Sequence, residues 1–160
     1  MSKENLSLFS TNLAKRLIRQ EQGSLYHNNI LIFDHITSNI IVFNNADLNE
    51  MANFAVITNA AESLFGSSPN VIKLNNGKKI IRIFDHQLVI MMVTESTTSE
   101  SEADFFLRFL LTIFICEYTE ILKQEDPFAD IAPFQSFFPK IERFLKSIDA
   151  LKTFNIFSVF

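Results

Sequence analysis

Residues 70–95 read NVIKLNNGKKIIRIFDHQLVIMMVTE, and the reading of this stretch decides the fold. It holds three runs rich in β-branched residues, 71–74, 79–84 and 88–94, whose stiff side chains pack well on a pleated surface. The first break is Asn75-Asn76-Gly77-Lys78. Its Asn-Gly pair predicts a tight type I′ hairpin turn, which needs positive φ at both central positions. The second break, Asp85-His86-Gln87, is short and polar. Strands joined this closely form an antiparallel meander, and the rest of the chain must cover or extend it.

On the N-terminal side, residues 47–65 predict a helix. Asp47 with Glu50 three residues later is an Asp variant of the capping box, and Gly66 stands where a helix ends in the left-handed conformation. Leu48, Met51, Phe54, Ala55, Ile57, Ala61, Leu64 and Phe65 cover more of its circumference than one core stripe requires. Small residues (Ala52, Ala55, Ala60, Ala61) would let another helix approach, so a second face that meets a partner chain stands beside the plainer reading of a helix sunk in its own core. Upstream, residues 29–44, NILIFDHITSNIIVFN, read as a hairpin turning at 34–39 and buried on both faces, because its runs are continuous rather than alternating. Residues 3–21 place Leu6, Phe9, Leu13 and Leu17 at helical spacing and stop near Gly23.

Downstream, residues 95–102 (ESTTSESE) form a polar, acidic loop. Ser101 with Asp104 suits the cap of a helix over 102–124, whose apolar centre (Phe105, Phe106, Leu107, Phe109, Leu110, Leu111, Ile113, Phe114, Ile115) places it centrally in the fold. Residues 126–139, rich in Pro and Phe, are expected to be irregular but packed. Pro139 suits the first position of a last helix with the stripe Ile141, Phe144, Leu145, Ile148 and Leu151. The apolar tail FNIFSVF is expected to pack or pair as a strand.

The 160 residues, 48% hydrophobic and 20% charged, are globular in composition, and a net charge of −4 argues against a nucleic-acid binder. A single cysteine, Cys116, excludes an internal disulfide and suits a reducing compartment; the start of the chain lacks an apolar leader, so a soluble, cytoplasmic protein is expected. The apolar run 105–116 is too short to span a bilayer and contains Arg108.

The order is helix, hairpin, helix, meander, long helix, C-terminal helical extension. Through ILIFDHITSNIIVFNNADLNEMANFAVITNAAESLFG (30–66) and VIKLNNGKKIIRIFDHQLVIMMVTES (71–96) the chain resembles the roadblock/longin superfamily over about residues 3–124. The leading helix favours roadblock; the long final helix and the extension lean toward longin.

The resemblance implies an α/β (α+β) fold: a five-stranded antiparallel sheet in the order 2-1-5-4-3, with helix 47–65 on one face and the other helices opposite. Residues 1–125 would form that domain and 126–160 a C-terminal helical extension packed on it. It also implies a non-catalytic platform, a homo- or heterodimer that scaffolds or regulates a small Ras-like GTPase, with membrane trafficking as a setting. A longin-type trafficking subunit is the alternative within the superfamily; a small-ligand sensory domain of profilin-like fold is the alternative outside it. Roadblock dimers join through the third strand and second helix. Carried over, these are Val71, Ile72, Lys73 and Leu74, with Met51, Phe54, Ala55 and Thr58. An edge strand with unpaired amides fits such a role, although Lys73 also suits an edge-blunting charge.

Phe-Asp-His occurs at 33–35 and again at 84–86, each time at a strand end. If strands 1 and 5 are antiparallel, Asp34, His35, Asp85 and His86 share one end of the sheet and form a weak candidate for a divalent metal, against the plainer reading of ordinary turn residues. Lone His27 reads as a surface residue. Cys116, in an apolar helical run, reads as a small buried hydrophobe. With glycine only at 23, 66 and 77, a Gly-rich phosphate loop has no place in this chain, and no cofactor or enzymatic activity is expected. Lys140, Arg143, Lys146 and Lys152 beside the last stripe allow contact with an anionic membrane, which Glu142 and Asp149 dilute.

Overall fold

The computed structural model describes residues 25, 28–44, 47–67 and 69–153, with the backbone alone for 145 and 148–153. The helix expected at 3–21, His27 and the tail from 154 onward lie outside the described residues.

The elements are β1 (Asn29–Asp34), β2 (Ile40–Asn44), α1 (Leu48–Phe65), β3 (Val71–Lys73), β4 (Lys78–Asp85), β5 (Leu88–Glu95), α2 (Glu100–Glu117), α3 (Thr119–Leu122), a 3-10 turn (Ala132–Ser136) and α4 (Phe137–Thr153). The strands make one antiparallel sheet in the order β2-β1-β5-β4-β3, as expected. Residues 28–137 form one compact unit; residues 1–27 and 138–160 belong to a second.

Side-chain alternation divides the sheet. Leu31 and Phe33 of β1, Ile80 of β4, and Val89, Met91 and Val93 of β5 cluster with Met51 and Ala55 of α1. Their neighbours Ile30, Ile32, Ile81, Ile83, Ile90 and Met92 must point to the opposite face, where α2 lies against β4 and β5. Both faces of the central strands are therefore covered, which explains why β1 and β5 read as unbroken apolar runs.

The expected type I′ turn is corrected. Of Asn76 and Gly77 only the glycine takes positive φ, at 78°. Leu74 N–H donates to Lys78 O at 2.9 Å around a three-residue loop, 75–77, with the left-handed glycine last. Asn76 Oδ1 accepts from Lys78 N–H at 3.2 Å, a second use for asparagine that the I′ reading overlooks. The β4–β5 turn is tighter still: Asp85 pairs Leu88, and His86 sits at φ 53°.

Helix α1 starts and stops as expected. Asp47 Oδ1 accepts from the Asn49 and Glu50 amides, and Gly66, at φ 66°, donates to Glu62 O at 3.0 Å. Helix α2 differs. Ser99, not Ser101, caps it by accepting from the Glu102 amide, and it ends at Glu117, because Tyr118 leaves helical geometry and turns inward. There Tyr118, Phe114, Phe134 and Phe137 stack ring on ring at centroid distances of 4.9–6.3 Å. This aromatic knot is the packed segment expected around 126–139. Pro139 lies third in α4, inside the first turn, where its missing N–H leaves no intrahelical bond unmade. Phe144, assigned to the apolar stripe of that helix, is exposed. So is Cys116, contrary to expectation: it shares the solvent side of α2 with Arg108 and Thr112.

Candidate functional site

Helix α1 has two apolar sides, and only one meets the sheet. Met51, Ala55 and Thr58, at i, i+4 and i+7, lie beneath it, and the Thr58 hydroxyl is satisfied by donating to Ala55 O at 3.1 Å. Phe54, Ile72 and Leu74 pack half-buried around the same cluster. The interface expected at Met51, Ala55 and Thr58 is therefore corrected: these residues fill the chain's own core. Ala55 and Thr58 are small there because the helix backbone comes close to the strands.

The opposite side carries Glu50, Asn53, Ile57, Ala60 and Leu64, all exposed. These positions fall at i, i+3, i+7, i+10 and i+14, the spacing of one coiled-coil seam, and extend over about 21 Å of helix. Leu64 is 79% exposed, Ile57 60% and the flanking Val56 56%, while Phe65 stands out at the end. Exposed aliphatic groups aligned along one helix face are the kind of patch through which proteins associate. The signal was present in the sequence as a second heptad, offset from the one chosen.

At one margin of this seam the β1–β2 turn closes on α1. Asp34 is buried and accepts from the Ile36 amide, the Thr37 hydroxyl and the Gln87 side chain, which ties the two turns together. His35 Nε2 lies 2.9 Å from Glu62 Oε2, and its ring meets Phe84 edge-on at 5.2 Å. Asn59 Nδ2 donates to His35 O and Ser38 Oγ. A cleft of about 620 Å³ runs between the turn (His35, Ile36, Ser38) and the helix (Val56, Asn59, Ala60, Ser63), with Ile36 exposed at its lip.

The two Phe-Asp-His turns do share one end of the sheet, as His35 N–H donating to Gln87 O shows. Their side chains diverge, however. Asp34 is consumed by its turn, His35 faces Glu62, and His86 pairs with its neighbour Asp85, out in solvent. Among the described residues no three His, Cys, Asp or Glu side chains are placed to hold a metal ion.

Beneath the seam, on the α1 side of the sheet, lies Arg82, fully buried although formally charged. Its Nε and Nη2 donate to Pro69 O, its Cζ stands 4.8 Å over the Phe84 ring, and Nη1 has no partner. Loss of hydration lowers its pKa, against the attraction of Glu62, which raises it.

The remaining expected interface residues lie on β3 (Val71, Ile72 and Lys73) and just after it (Leu74). Asn70 O accepts from Arg82 N–H and Leu74 N–H donates to Lys78 O, so the even-numbered residues bond to β4. By antiparallel alternation the amides and carbonyls of Val71 and Lys73 point outward, along the sheet edge. Val71 is half-buried and Lys73 exposed.

A comparison with protein-family models finds no match, and none of the curated proteins matches the chain. Among the described residues no helix is long and apolar enough to cross a membrane.

Proposed function

We propose that this chain is a non-catalytic interaction module of roadblock/longin type that pairs with a second chain, alike or different, and scaffolds or regulates a small Ras-like GTPase. A cytoplasmic setting and a trafficking role belong to this reading. The observation that carries it is the exposed apolar seam of α1, which lies on the helix through which the resembled domains dimerise. The outward edge of β3 adds main-chain donors and acceptors next to that helix in the fold order. The GTPase is the part of the reading that rests on resemblance alone.

The test is capture of purified small GTPases, each loaded with GDP or a non-hydrolysable GTP analogue, on the immobilised chain and on its Leu64→Glu variant. The reading predicts capture that depends on the nucleotide and is lost in the variant. No capture in either state removes the GTPase; capture unaffected by Leu64→Glu removes the seam.

A further inference from the structure

We infer that the cleft between the β1–β2 turn and α1 is a pocket for a primary ammonium group on a short apolar stem, carried by a free alkylamine or by a lysine side chain. The inference goes beyond the docking role proposed above and stands without it. The pocket is built before any ligand arrives. Asp34 accepts from the Ile36 amide and the Thr37 hydroxyl, while Asn59 Nδ2 donates to His35 O at 3.0 Å and to Ser38 Oγ at 2.7 Å. Turn and helix are thereby fixed as two walls. Ser38 sits in the left-handed region at φ 60°, which a non-glycine residue keeps only where its surroundings hold it. The space between the walls, about 620 Å³, is of the size that small ligands occupy.

The chemistry of the walls selects the ligand. Both hydrogens of the Asn59 amide are spent on the turn, and its Oδ1 is shut off from solvent and meets no donor. Ser63 cannot supply one, because its hydroxyl donates to Asn59 O. A buried acceptor left open costs the desolvation of the group, and a donor pressed against this wall supplies the missing bond. Glu62 adds a partly exposed carboxylate, and a hydrogen bond from a neutral His35 imidazole leaves its charge in place. Arg82 attracts that charge from beneath, but it is buried against Pro69 O and does not line the cleft. Formally Asp34 and Glu62 outweigh Arg82, and no Lys or Arg occurs between Arg19 and Lys73.

An anion is repelled by such walls, and a neutral ligand gains nothing from the charge of Glu62. A divalent cation lacks a ligand set among the described residues. An ammonium head fits: it is compact, carries three donors, and can serve the carboxylate of Glu62 and the amide oxygen of Asn59 together. Ile36, Val56 and Ala60 offer the apolar surface for its stem.

The test is an NMR titration of the isotope-labelled full chain at about pH 7.5, where an ordinary imidazole is mostly neutral, with butylammonium, butyrate and butanol as probes of similar size. Butylammonium should shift the amide signals of His35, Ser38, Asn59 and Ser63 saturably, and the other two should not. Glu62→Gln, which keeps a partner for His35 but removes the charge, should weaken binding about tenfold. Ala60→Phe, which fills the cleft from an exposed helix position, should abolish it, with the circular dichroism spectrum retained in both variants. Nα-acetyl-lysine methylamide separates the two sources: binding at least as tight as that of butylammonium assigns the pocket to a lysine of another protein, and its exclusion assigns it to a free amine. No saturable shift with butylammonium overturns the inference and leaves Asn59 Oδ1 to an ordered water. Equal shifts with butyrate or butanol, or binding untouched by both variants, overturn it as well. None of these outcomes bears on the seam, which Leu64→Glu tests separately.

Discussion

Two helices of eighteen residues each, α1 and α2, lie on opposite faces of one sheet, yet they spend their apolar residues differently. Helix α2 buries Ala103, Phe106, Leu107, Leu110, Leu111 and Phe114, and its remaining large apolar groups, Phe105, Phe109, Ile113 and Ile115, are at least half covered. Below it the 3-10 turn and Tyr118 close an aromatic knot around Phe114. Helix α1 buries Met51, Ala55 and Thr58 and leaves Val56, Ile57, Leu64 and Phe65 in solvent. A helix can press only one side onto a sheet, so an apolar second side left exposed among the described residues is not needed to hold the helix on that sheet. The difference separates what the chain needs to fold from the surface that the proposed docking role would use.

The sharpest way to break this contrast is to truncate one side of each helix. Phe114→Ala, at the centre of the aromatic knot, should cost about 3–5 kcal/mol of stability in urea denaturation, the range for emptying a large aromatic site. A loss under 1 kcal/mol would mean that the knot does not anchor α2.

Arg82 sharpens the α1 side. Its guanidinium is buried with one nitrogen unpartnered, so it is a poor source of stability for its size. Arg82→Ala should cost about 3 kcal/mol by leaving a void and freeing Pro69 O, whereas Arg82→Met, which keeps the volume and removes the charge, should stay within about 1 kcal/mol of the parent. Equal losses in both would show that the two bonds to Pro69 O matter more than the packing.

Gly66→Ala should cost about 1 kcal/mol, all of it conformational, because φ is 66° and nothing lies within 4 Å of the added methyl. Smallest of all, Ile57→Ser and Leu64→Glu should each leave stability within about 0.5 kcal/mol, as for other exposed positions.

Much of this fold was legible from particular residues. Asp47 and Gly66 bounded α1, Gly77 located the first hairpin, and the apolar runs at 30–33 and 88–93 announced strands covered on both faces. The strand order came from resemblance, since no residue pattern encodes which strands pair across a fold. The choice of α1 interface failed for a definable reason: Met51-Ala55-Thr58 and Glu50-Ile57-Leu64 are both helical stripes, and periodicity cannot say which one a sheet will cover. Size tilts the choice afterwards, because close approach to the strands favours Ala55 and Thr58 over Ile57 and Leu64. The divergence of Asp34, His35, Asp85 and His86 was equally hidden. It depends on Glu62 and Gln87, partners that are distant in sequence from one or both turns.

The central claim, that the outer side of α1 is spare in folding and used in association, is tested most directly by measuring melting temperature and GTPase capture on the same Leu64→Glu sample. The account predicts an unchanged melting temperature with capture lost. A melting temperature that falls as far as that of Phe114→Ala, or capture equal to the parent's, would contradict it.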